Sequence, residues 1–124
     1  MDFQHMAMSC RDKEEINGFY IDVLGFELEK SFEINNELSA RIFHIDKSAD
    51  VFLLKNGNVR LEVFLNREDQ QPTYRHICIS VNEREKIVEY ARQKNYTVER
   101  IERDKFDLIF IRDNSGNIFE VKQA

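Results

Sequence analysis

One proline and four glycines in 124 residues are too few for a disordered or linker-like chain. Long apolar runs are also missing. The longest, VFLL and LIFI, fall far short of the roughly 20 residues that a membrane-spanning helix needs. The opening MDFQHMAMSC has no basic stretch followed by an apolar one, so no secretory signal is expected and the cytoplasm is the expected compartment. The two cysteines, Cys10 and Cys78, have no CxxC spacing and sit in strand-like contexts. That excludes a disulfide framework and predicts reduced core thiols. Nor is there a basic stripe to track phosphates: lysines and arginines are scattered among acids and the net charge is −5. Nucleic acid and membrane surfaces are therefore not expected partners.

What is present is an ordinary globular composition, 42% apolar and 33% charged. At this length the expectation is a single domain, 1–124, with one real core.

Sliding the sequence over itself by 71 positions pairs His5 with His76, Ser9 with Ser80, Glu14 with Glu85 and Ile16 with Ile87. In each copy a short alternating strand leads into a helix. Asp12 with Glu15, and Asn82 with Glu85, have the spacing of a capping box. The first helix carries Ile16, Phe19, Tyr20, Val23 and Leu24 as a buried stripe and should end at Gly25. The second carries Ile87, Tyr90, Ala91 and Lys94 before Asn95. Strand-like stretches follow each helix: FELEKSFEI, ARIFHID, DVFLLKN and VRLEVFL, then YTVERIE, FDLIFIRD and NIFEVKQ, with Asn-Gly and Ser-Gly turn signals between the last pairs. Two βαβββ modules are predicted, module one over 1–66 and module two over 74–124. The linker, 67–73, lies in NREDQQPT, which holds the only proline.

Period-two alternation decides which way each strand residue points. Ile77, Ile79 and Val81 form one apolar face, leaving His76, Cys78 and Ser80 on the other; His5 and Ala7 likewise lie opposite Met6 and Met8. Glu62 falls between Leu61 and Val63, and Glu120 between Phe119 and Val121. A lone strand histidine is usually a hydrogen-bonded structural residue, and a lone glutamate usually marks a solvated face. His44, without a counterpart in the other half, is read that way. His5, Glu62, His76 and Glu120 differ because they recur together on the first and last strands of both repeats. On one concave surface, two imidazoles and two carboxylates suit a divalent ion such as Zn, Ni, Co, Mn or Fe.

HMAMSC…FYIDVLGFELEKS, LEVFL, RHICISV and DNSGNIFEV together resemble the vicinal oxygen chelate superfamily, that of glyoxalases, bleomycin-resistance proteins and dioxygenases. The resemblance spans nearly the whole chain. It implies an α+β fold in which two βαβββ modules form curved mixed sheets around a metal or ligand cavity, commonly in a homodimer whose sites can draw on both chains. In the metal-dependent glyoxalase I branch the ligands fall on His5, Glu62, His76 and Glu120. An asparagine of that branch is kept as Asn66, a candidate substrate contact. Departures are visible too. Ser9 and Pro72 stand where glyoxalase I members have arginines, so the metal site carries over and the glutathione site does not. Arg11, Arg41, Arg60 and Arg75 are the remaining anion contacts to consider, each also readable as a surface arginine. Ala7 replaces a threonine of the fosfomycin-resistance branch, and Glu62 a glutamine usual in methylmalonyl-CoA epimerases.

The resemblance thus implies a glyoxalase-like lyase or isomerase, similar to lactoylglutathione lyase, acting on a small molecule. It would move a proton beside a carbonyl through a metal-stabilised enediolate, with Glu120 as the base and Glu62 next. A metal-free protein that binds small molecules, as the bleomycin-resistance members do, a related epimerase, and a structural dimer without chemistry are the alternatives. Metal content separates the metal-dependent readings from the others.

Overall fold

The structure is a computed structural model and describes residues 1–68 and 74–124. Among the described residues, eight strands form two four-stranded mixed sheets. In the first, β1 (Met6–Cys10), β2 (Glu27–Ile34), β3 (Ala49–Asn56) and β4 (Val59–Leu65) run in the order β1-β4-β3-β2, with β1 parallel to β4 and the other pairs antiparallel. The second repeats this with β5 (Ile77–Val81), β6 (Thr97–Ile101), β7 (Leu108–Arg112) and β8 (Ile118–Gln123), in the order β5-β8-β7-β6. Neither sheet closes into a barrel. The expected linker, 67–73, lies mostly outside the described residues.

The first helix, Ile16–Ile21, is wound wider than an α-helix: the Asp22 and Leu24 amides donate five residues back, to the Asn17 and Phe19 carbonyls. Its apolar stripe is buried as expected, and Gly25, at φ +75°, ends the segment in a conformation that suits glycine. The equivalent helix of the second half, α2 (Arg84–Gln93), buries Val88 and Ala91 but leaves Tyr90 exposed. Neither helix start carries a side-chain cap hydrogen bond, so the capping boxes expected at Asp12 and Asn82 do not form.

A second correction concerns ARIFHID. Its first residues complete a helix, α1 (Asn36–Phe43), instead of forming a strand. Asn35 caps it, its side chain accepting from the Leu38 amide at 2.9 Å. The last turn closes on His44, at φ 60°. Alternation over only Phe43 to Asp46 was too short to outweigh a capped helix start. A non-glycine residue in the left-handed region costs roughly 1 kcal/mol. His44→Gly is therefore expected to stabilise the fold by up to about that amount, a rise in melting temperature of about 3 °C by calorimetry, with metal content unchanged.

Both sheets turn their apolar faces to one shared core. It takes in Phe52, Leu54, Leu61 and Val63 from the first sheet, Ile109, Ile111, Phe119 and Val121 from the second, and Phe19 and Tyr20 of the first helix. The Phe19 and Tyr20 rings lie 5.7 and 5.9 Å from that of Phe119, so module one's helix packs on module two's last strand. Each such fully buried side chain stabilises the fold by about 1.5–3 kcal/mol. Of the two thiols only Cys10 belongs to this core; Cys78 is exposed on the opposite face of β5, because alternation turns it outward.

Candidate metal centre

β1 enters beside β4 in parallel register, with Ala7 opposite Glu62; β5 enters beside β8 in the same way, with Cys78 opposite Glu120. Each histidine stands one residue before its strand. Each carboxylate lies between core residues that are at most 1% exposed, and so points away from the core. The outcome is the same in both halves. His5 Nε2 is 3.6 Å from Glu62 Oε2, and His76 Nε2 is 3.5 Å from Glu120 Oε2. The glutamates are about four-fifths buried and the imidazoles about half exposed.

Two ligands bound at about 2.1 Å around a tetrahedral ion stand roughly 3.4 Å apart. Both pairs fit that spacing. His76 is also oriented to bind through Nε2. Its Nδ1 lies 2.9 Å from the Tyr74 carbonyl, a contact that donates Nδ1–H and leaves the Nε2 lone pair toward Glu120. Phe110 flanks the imidazole edge-on at 6.3 Å. On the other side of the carboxylate, Lys122 Nζ lies 3.8 Å from Glu120 Oε1.

The two pairs do not meet within one chain. Among the described residues, the one group of three or more potential ligands with atoms within 4.8 Å of one another is Cys10, Glu15 and Asp113, not a set drawn from the four. The shared core explains the separation: because both apolar faces turn inward, the two His–Glu faces turn outward. Asn66 lies four residues beyond Glu62, about 13 Å along the strand, where its side chain accepts from the Glu68 amide at 3.2 Å.

The buried Cys10, Glu15 and Asp113 group was not anticipated as a cluster. Asp113 accepts from the Tyr20 hydroxyl at 2.8 Å, the Asn117 amide side chain at 2.7 Å, and the Ser115 and Asn117 backbone amides at 2.9 and 2.8 Å. Glu15 accepts from the Ser115 hydroxyl at 2.6 Å and from the Asn114 and Ser115 amides. Burial, then the Asp113 charge, pushes the Cys10 thiol far up, so it stays protonated. The chain's own donors occupy these carboxylates, which makes the cluster a clasp between the first helix and the β7–β8 turn. The DNSGN motif was its only trace in the sequence.

The Glyoxalase/Bleomycin resistance protein/Dioxygenase superfamily model matches residues 2–121. The chain belongs to that superfamily. A search of the curated proteins finds no match. Among solved structures, a glyoxalase family protein from Enterococcus faecalis is similar at 22% identity and a TM-score of 0.71, over 97% of this chain and 95% of that one. One from Bacillus cereus superposes at a TM-score of 0.77 with 14% identity, over 98% and 92%. A variant of the fosfomycin resistance protein FosX from Listeria monocytogenes, complexed with Mn(II) and 1S,2S-dihydroxypropylphosphonic acid, gives 0.74 at 13% identity, over 98% and 88%. These likenesses show a shared fold. Among the described residues, no helix is long and apolar enough to cross a membrane.

Proposed function

We propose that the protein is a metal-dependent, glyoxalase-like lyase or isomerase that works as a homodimer, with His5 and Glu62 of one chain completed by His76 and Glu120 of its partner. The observation that carries this reading is the equivalence of the two pairs: each has the same residue types at matching strand positions and nearly the same N···O separation, on an outward face. Half a coordination shell on each of two outward faces is what a two-fold assembly completes.

Manganese is supported by the FosX complex as one candidate ion, and Zn, Ni, Co and Fe suit the same donors. Such an ion, when bound, supplies positive charge opposite substrate oxygens that become anionic as a neighbouring carbon loses its proton. Glu120 is the base in this reading. Its carboxylate is held beside His76, with Phe110 flanking the imidazole and Lys122 3.8 Å from the second oxygen. Glu62 is the second candidate to carry the proton. The substrate is a small carbonyl compound; Ser9 and Pro72 give no support for glutathione.

Elemental analysis of protein purified without chelator tests the reading. The expected result is about one transition metal ion per chain, with affinity lowered more than about a hundredfold in His5→Ala and Glu120→Gln, since loss of a mere supporting contact costs 10–100-fold. A wild-type protein that binds neither native nor added metal would sink the enzyme reading and leave a small-molecule binding protein.

A further inference from the structure

Beside the His5–Glu62 pair lies a cleft of about 320 Å³, lined by Gly25, Glu27, Lys55, Asn56, Gly57 and Arg60. Its position follows from register. Arg60 is two residues before Glu62 on β4, hence on the same face, and it pairs across to Lys55 just as Glu62 pairs to Leu53. The parallel pairing of Met6 with Leu61, carried one residue back, sets His5 alongside Arg60. Two cations thus stand one pleat, roughly 7 Å, from the carboxylate of the half-site.

Electrostatics favours an anion here. Lys55 and Arg60 outweigh Glu27, giving the lining a net charge of +1 in a chain of −5. Arg60 is joined to Glu29 through Nε at 3.6 Å, too long for a hydrogen bond, with both side chains more than a third exposed. Such exposed pairs are weak and easily exchanged for a ligand's charge. Among the described residues, Lys55 has no ion-pair partner. The left-handed turn at Gly57, φ +58°, keeps side chains clear of the mouth, where an added Cβ would meet nothing within 4 Å.

We propose that this cleft holds an oxyanion, a carboxylate or a phosphate, borne by the substrate whose carbonyl end reaches the His5–Glu62 pair. The substrate class is then a short anionic carbonyl compound with its charge one pleat from the reacting end. The inference rests on reading that pair as half of an active site, but its test does not.

The test is an amide-shift titration of metal-free, full-length protein with inorganic phosphate and, separately, acetate, at constant ionic strength. Saturable shifts at Lys55, Gly57 and Arg60 are expected with at least one probe. The better probe identifies the anion. Affinity should fall about tenfold in Lys55→Gln and Arg60→Gln and hold in Lys86→Gln, which removes a cation from α2, outside the cleft. Absence of saturation with both probes overturns the proposal, as does wild-type affinity in both glutamine variants or an equal fall in Lys86→Gln. Manganese binding, followed by electron paramagnetic resonance on the same samples, reports on the metal reading separately. Metal bound without anion shifts rejects the cleft alone, whereas anion shifts without metal reject the enzyme reading alone.

Discussion

Co-expressed His5→Ala and His76→Ala chains are expected to recover metal binding that neither variant has alone. In the shared-site arrangement each site takes His5 and Glu62 from one protomer and His76 and Glu120 from its partner. A mixed dimer then concentrates both lesions in one site and leaves the other with all four ligands. Random pairing makes half the dimers mixed, so about one ion per four chains should bind with wild-type affinity, against essentially none for either variant at the same metal concentration. A dually tagged preparation, from which only mixed dimers are recovered, should carry one ion per two chains. Sites built within single chains predict no recovery, because every chain would lack one histidine. Recovery of chemistry should track recovery of metal. The effect is large because losing one of four ligands removes both a bond and a fixed direction, more than the 10–100-fold cost of losing a supporting contact. Metal content near zero in the dually tagged dimer, with metal bound by wild type, would reject the shared site.

The repeat was legible because a histidine and a glutamate recur 71 and 58 positions apart, His5 with His76 and Glu62 with Glu120, in matching alternation. Alternation also gave the outward direction of both carboxylates. It could not reveal that the two apolar faces share one core, since that depends on the Phe19 and Tyr20 rings meeting Phe119, a contact across about a hundred residues. The four expected ligands accordingly lie as two His–Glu pairs on separate faces of the chain. Local signals failed where a longer-range partner won. Glu15 has the spacing of a capping residue, yet its carboxylate is taken by Ser115 and the amides of the β7–β8 turn. ARIFHID alternates for a few residues, but Asn35 had already started a helix. Lys55 carried no signal until register set it beside Arg60.

Asp113→Ala is expected to destabilise the fold by about 3–5 kcal/mol, a large part of the 5–15 kcal/mol available to a domain of this size. The alanine abandons five donors at once: the Tyr20 hydroxyl, the Cys10 thiol, the Asn117 side-chain amide and two backbone amides. A buried donor left without a partner costs about 1–3 kcal/mol, discounted where water can enter the space vacated. Tyr20 has little such relief, being fully buried. Asp113→Asn keeps the volume and one acceptor oxygen and should cost less than half as much in a urea titration; equal losses would mean that neither volume nor a single acceptor suffices, and that both carboxylate oxygens are needed. Glu15 adds a pH signature to the same clasp. Burial, its largest cause, holds the Glu15 carboxyl above its ordinary 4.5, opposed by the Ser115 hydroxyl. The folded state therefore keeps a proton that the unfolded chain has released, and this group's contribution to stability is greatest below about pH 4.5 and falls as pH rises through the folded value. Glu15→Gln removes that slope while retaining an acceptor for Ser115. Urea midpoints of wild type and variant should accordingly diverge in pH dependence just above pH 4.5, and parallel curves would show that Glu15 is ionised in the clasp with no cost from burial.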